Sequence, residues 1–265
     1  MNIYLYELKA LRKSAILWTC SITAISVLFL SVFTSMAEDA ADFREIMAGY
    51  PEAVRKMLSI NLDYIASILG FYSFVFIFIQ LCGTVQAANL GVSILSKESR
   101  ERTADFLLVK PVSRAYVISA KLLAALTNLL VTDAIFVAVS LIVANSVNTA
   151  DFDAGRFIMI NLTMLFVQLI FLAAGLLISV FFNKIKNVLP ISLGMVFGFY
   201  IIGALLVSDD EALRFISPFK YYNVTYIIQN AAYEIPYLIL GAAIVAVSIA
   251  ACYIIYCRKD IHAVS

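Results

Sequence analysis

Charge is what this sequence has least of. Asp, Glu, Lys and Arg make up 14% of its 265 residues, while 63% are hydrophobic. A soluble domain carries roughly 25% charged and 45–50% apolar residues, so the composition argues against one or two soluble domains of this length. A mean hydropathy of +0.94 points the same way. The net charge of +1 gives no reason to expect a nucleic-acid partner. Histidine is nearly missing, with only His262 near the tail, which argues against a histidine metal site. The four cysteines, Cys20, Cys82, Cys252 and Cys257, lie in or beside apolar runs. They have neither metal-ligand spacing nor the pattern of a disulfide framework, and free thiols are expected. There is no G-x-x-x-x-G-K-[ST], no H-E-x-x-H and no G-x-S-x-G, so P-loop, metalloprotease and serine-hydrolase chemistry lack support. Asp209 and Asp210 are too short a pair for a metal-dependent enzyme and read as a solvated loop.

What the chain does have is long apolar runs. A membrane helix needs about 20 mostly apolar residues, and six segments qualify: about 14–36, 61–86, 115–144, 157–182, 188–207 and 235–256. They are expected to be helices, because backbone in lipid must satisfy its own hydrogen bonds. The alternation of barrel strands is absent. Lys9, Arg12 and Lys13 followed by "SMA" before Glu38 resemble a signal peptide. The apolar run is longer than the 7–15 residues of a signal core, so an uncleaved helix is expected. Thirteen Lys and Arg fall at the N-terminus, in 87–114 with Lys121, in 183–187 and in the tail. The other three loops hold six, with eleven acidic residues. The positive-inside rule then places both termini in the cytoplasm.

One internal segment gathers the scarce charge. Residues 95–114, "LSKESRERTADFLLVKPVSR", contain Lys97, Glu98, Arg100, Glu101, Arg102, Asp105, Lys110 and Arg114. No Gly or Pro interrupts 96–110, so a helix is expected there. Glu98 and Arg102 are four apart in the favourable order. Pro111 disfavours helix at Lys110, and Ser113 is placed to cap the next helix. An ordinary charged interfacial loop accounts for the same residues.

The run "KESRERTADFLLVKPVSRAYVISAKLL" resembles the segment between the second and third spans of ABC-2-type transporter permeases. Glu98, Glu101, Thr103, Leu107, Leu108, Pro111, Ser113, Arg114 and Lys121 match the family pattern. Arg102 departs from it, standing where the family often has Gly. The resemblance implies a single permease domain over 1–265, all-α and polytopic, in the cell membrane. It implies an N-terminal interfacial helix ("NIYLYELKALRKS") and a cytoplasmic coupling helix between the second and third spans. It implies a separate ATP-binding subunit, holding ATP and magnesium, that docks on Lys97, Glu98, Arg100, Glu101, Arg102, Thr103, Pro111, Ser113 and Arg114. A second permease copy and export of an amphipathic or hydrophobic compound are implied too, with no covalent catalysis by this chain. The rivals are a membrane-embedded enzyme and a non-transporting anchor or sensor.

Polar residues inside the spans are candidate sites by default. Asp133 lies near the middle of the third span, with Asn128 and Thr132 about one turn away. They read either as a wet face on a translocation path or as a packing contact with a neutral acid. Lys121, twelve residues from Asp133, is about 18 Å away along a helix, too far to be its partner. Gln80, Thr84, Gln86 and Asn89 read as an inner entrance or as packing. Gly194 and Gly198 have the G-x-x-x-G spacing that lets helices approach closely, within one chain or between copies. The aromatic segment "DDEALRFISPFKYYNVTYIIQNAAYEIP" suits the membrane interface. The resemblance implies short re-entrant helices there.

Overall fold

The computed structural model describes residues 2–58, 60–101, 112–147, 152–182, 185–205 and 214–258. Its helices are α1 (Ile3–Glu38), α2 (Ala40–Ala48), α3 (Glu52–Met57), α4 (Ile68–Glu101), α5 (Arg114–Val147), α6 (Ala154–Phe181), α7 (Val188–Leu205), α8 (Val224–Asn230) and α9 (Ile235–Arg258). A 3-10 turn, Pro218–Lys220, precedes α8. No strand occurs among the described residues. α1, α4, α5, α6, α7 and α9 are long and apolar enough to cross a membrane. The chain is an all-α polytopic membrane protein.

Polar side chains mark where helices begin, because the first N–H groups of a helix lack backbone partners. Asn2 Oδ1 accepts from the Tyr4 N–H at 3.1 Å, and Asp153 Oδ1 from the Arg156 N–H at 3.0 Å. Ser113 Oγ accepts from the Tyr116 N–H at 3.2 Å, the cap its position predicts. The second span starts later than its apolar run suggests, at Ile68 rather than near Asn61. Asn61 Oδ1 accepts from the Asp63 N–H at 2.9 Å and holds the chain in a turn. Ser67 Oγ then accepts from the Gly70 N–H at 3.1 Å. A side chain at Gly70 would run into the backbone of Tyr64 and Ile65.

Two segments expected as separate helices extend neighbouring spans. The N-terminal stretch runs into the first span as one 36-residue helix, about 54 Å long at 1.5 Å per residue. The charged segment, as far as Glu101, continues the second span. At the first joint no Gly or Pro stands to end the helix; at the second only Gly91 does, and α4 carries it through in close contact with α6. The end of the bundle where α1 begins is the basal end; the opposite end is distal.

α4 and α6 form the interior and run parallel in close contact, while α1 packs along α5 and α9 lies on α6. Glycines bring α4 and α6 together. A side chain on Gly91 would strike the Leu172 carbonyl, and one on Gly175 would stand 2.9 Å from the Ala88 oxygen. Tyr72, Phe76, Phe136 and Phe157 fill the core towards the distal end. There Arg214 pairs with Glu234, Nη1 to Oε1 at 3.0 Å, and stacks 4.0 Å from the Tyr237 ring. Burial, then the nearby Arg214, holds the Lys220 ammonium below its ordinary pKa.

Candidate functional site

The basal end is built around a buried carboxylate. Glu7, on the second turn of α1, is 4% exposed, and Lys121 of α5 is 0% exposed. Lys121 Nζ lies 3.1 Å from Glu7 Oε1 and donates to the Ile94 carbonyl of α4 at 2.6 Å. Lys97 Nζ approaches Glu7 Oε2 at 3.8 Å and lies 5.6 Å from the centre of the Tyr6 ring. One carboxylate thus joins α1, α4 and α5. Breaking a buried pair by removing one partner costs about 3–5 kcal/mol, because the other charge is left uncompensated. The node therefore resists separation of those three helices.

The expected docking residues are placed as follows. Lys97 points into this node and has an intramolecular partner. Glu98, Arg100 and Glu101 lie on the last turns of α4. Ser113 caps α5, and Arg114 opens it. Arg102, Thr103 and Pro111 lie outside the described residues. Sequence reading missed Glu7, although two signals pointed to it. It is a lone acid in a basic N-terminal stretch, and a lysine seven residues into an apolar helix needs a partner.

Higher in the bundle, the expected path residues come together inside one chain. Asn128, Thr132, Asp133 and Gln80 are all buried. Gln86 Nε2 donates to Asn128 Oδ1 at 3.2 Å and to Thr132 Oγ1 at 3.1 Å. Thr132 Oγ1 also meets Thr19 Oγ1 of α1 at 3.0 Å. Towards the distal end, Ser26 meets Ser140 at 2.7 Å, and Tyr72 donates to Asn161 at 2.6 Å. These groups form a polar seam between α1, α4, α5 and α6. Thr84 and Gln86 are buried with it and do not line an open entrance within the chain.

Of the two alternatives for Gly194 and Gly198, the contact within one chain is not found. Nothing stands within 4 Å of a side-chain position at Gly194 or Gly198, so neither makes a helix contact within the chain. The close approach uses Gly83, Gly91 and Gly175 instead. The readable signal was Gly83, Ala87 and Gly91, three small residues four apart. Among the described residues no group of His, Cys, Asp and Glu could hold a metal ion.

A long six-span bundle with its buried charge tied at one end fits a transport subunit, and comparison with known families decides the matter. The profile described as ABC-2 family transporter protein matches residues 1–261. The chain belongs to the ABC-2 transporter family. It is therefore a multi-pass membrane permease of the ABC transporter class. No curated protein matches it closely enough to be named as a relative. In this ABC-2 permease the basal node lies directly on the helical extension of α4 that leads into the charged segment.

Proposed function

We propose that this permease is the membrane-spanning half of an ATP-driven exporter, moved by a separate ATP-binding subunit that holds ATP and magnesium. The subunit docks at the basal end, on the charged turns of α4 and the start of α5. The observation that carries this reading is the Glu7–Lys121–Ile94 node. Force applied at the end of α4 meets three helices already locked together, so it moves them as a unit. Ser113 and Arg114 set the direction in which α5 leaves the docking surface. Charge on this surface supplies register and partner choice more than raw affinity. Two copies enclose the path, and the open α7 face with Gly194 and Gly198 is where the second copy seats. The cargo is amphipathic or hydrophobic, and both termini are cytoplasmic.

The test is to purify the permease from its native membrane with its ATPase and assay vesicles, using a fluorescent amphipathic dye and a fluorescent phospholipid as probes. The expected result is ATP-dependent movement of a probe, lost in Glu98→Lys/Glu101→Lys while assembly of the bundle persists. Absence of any ATPase in the purified particle contradicts the reading. An ATPase with no cargo movement points to a sensor. Unchanged coupling in the double variant removes the docking role from these residues.

A further inference from the structure

Two tightly packed helix pairs, α4–α6 and α1–α5, meet along the polar seam. Asp133 of α5 sits on it, 7% exposed. The Gln168 amide of α6 stands beside its carboxyl, yet among the described residues neither Asp133 oxygen meets a hydrogen-bonding partner in bonding geometry. Nor do Gln168 Oε1 and Gln86 Oε1. Gln86 Nε2 has both of its hydrogens engaged, while Gln168 Nε2 gives one of its two away from Asp133. Gln168 Nε2 donates to the Gly83 carbonyl at 3.3 Å, and Gln86 Nε2 is taken by Asn128 and Thr132. Among the described residues, the seam has four buried acceptor oxygens without a donor. Buried polar groups are ordinarily satisfied, so this deficit needs a source of hydrogen.

Among the described residues, no side chain brings a positive charge to the seam. The span of α4 carries Tyr72 and Cys82 as titratable groups, and that of α1 carries Cys20. α6 has no titratable residue beyond Arg156 in its first turn. α9 meets α5 near the basal end, where Tyr253 bonds Ser119 at 2.7 Å. Lys121 is twelve residues away, about 18 Å along the helix, and is held by Glu7.

We propose that Asp133 is a proton-binding site. It takes one proton from water and keeps it as a carboxylic acid, the missing donor that lets α4–α6 and α1–α5 close on each other. An ionised carboxylate without a partner is strongly disfavoured at this depth. Opening the seam to water reverses the balance and releases the proton. The closed state is thus neutral at Asp133 and the open state is ionised. An acid protonated when folded and ionised when exposed makes stability fall as pH rises.

Infrared spectroscopy of the chain in lipid nanodiscs tests this at mildly alkaline pH, where exposed carboxyls are ionised. Aspartate labelled with carbon-13 should shift one carboxylic-acid carbonyl band, and Asp133→Asn should remove that band. Gln168→Leu should move its frequency, which identifies Asp133 even if Asp133→Asn does not fold. The thermal midpoint of the native chain should fall through the alkaline range, while that of Asp133→Asn stays level. Replacing sodium by a large organic cation should change neither the band nor the midpoint. No protonated aspartate band, or a band that survives in Asp133→Asn, overturns the proposal. A sodium-dependent midpoint without an acid band overturns it in favour of a metal cation.

Discussion

Lys121 has no route to water, and its ammonium is divided between the Glu7 carboxylate and the Ile94 carbonyl. Lys121→Met leaves Glu7 buried with Lys97, at 3.8 Å, as its one remaining cation among the described residues. The expected loss is about 3–5 kcal/mol of stability. Glu7→Gln should cost a similar amount by taking the Glu7 carboxylate away from the buried Lys121 ammonium. The double variant Glu7→Gln/Lys121→Met should cost clearly less than the sum, since neither charge remains. Unfolding midpoints of the four proteins check this cycle. Additive losses would show that the two residues act independently. At this scale local chemistry was legible in the sequence and distant partnership was not. The Ser113 cap follows from its neighbours. Asp133 stood out because an acid inside an apolar run is costly wherever it points. Glu7 and Lys121 are separated by 114 positions, and only folding reveals that one answers the other.

At the scale of elements, glycines divide into those that hold helices together and those that do not. Gly91 and Gly175 are pressed against the opposing backbone, and Gly194 and Gly198 face open space. Gly91→Leu should destabilise the bundle by more than the roughly 1–3 kcal/mol of ordinary overpacking, because a rigid backbone is in the way. Gly194→Leu should leave the stability of a single copy within about 0.5 kcal/mol. Thermal unfolding in detergent separates the two. If α7 seats a second copy, Gly194→Leu should also lower the dimer fraction seen by light scattering. The existence of all six spans could be read from apolar length alone. Their limits could not, because side chains decide them. Asn61 and Ser67 delay α4, and the lack of a breaker fuses the N-terminal stretch to α1. The G-x-x-x-G of α7 looked the same on paper as the Gly83–Ala87–Gly91 ladder of α4. Only the position of a helix inside or outside the bundle tells them apart.

At the scale of the molecule, two helix pairs share a polar seam and are clamped at the basal end by a buried ion pair. α4 runs from that seam through the clamp and into the densest run of charge in the chain. In the proposed function, this continuity is what would carry a partner's movement at the basal end to the membrane spans. The family match over 1–261 agrees with the motif between the second and third spans. The pairing of α4 with α6 and of α1 with α5 lay beyond sequence reading, since apolar helices carry no label for their neighbours. The most direct measurement is site-specific photo-crosslinking from position 101, with the crosslinker replacing Glu101 in native membranes. The account predicts an adduct with an ATP-binding protein, and protection of this position from membrane-impermeant reagents added outside. Labelling of position 101 from outside, or crosslinking to lipid and solvent alone in the assembled particle, would contradict it.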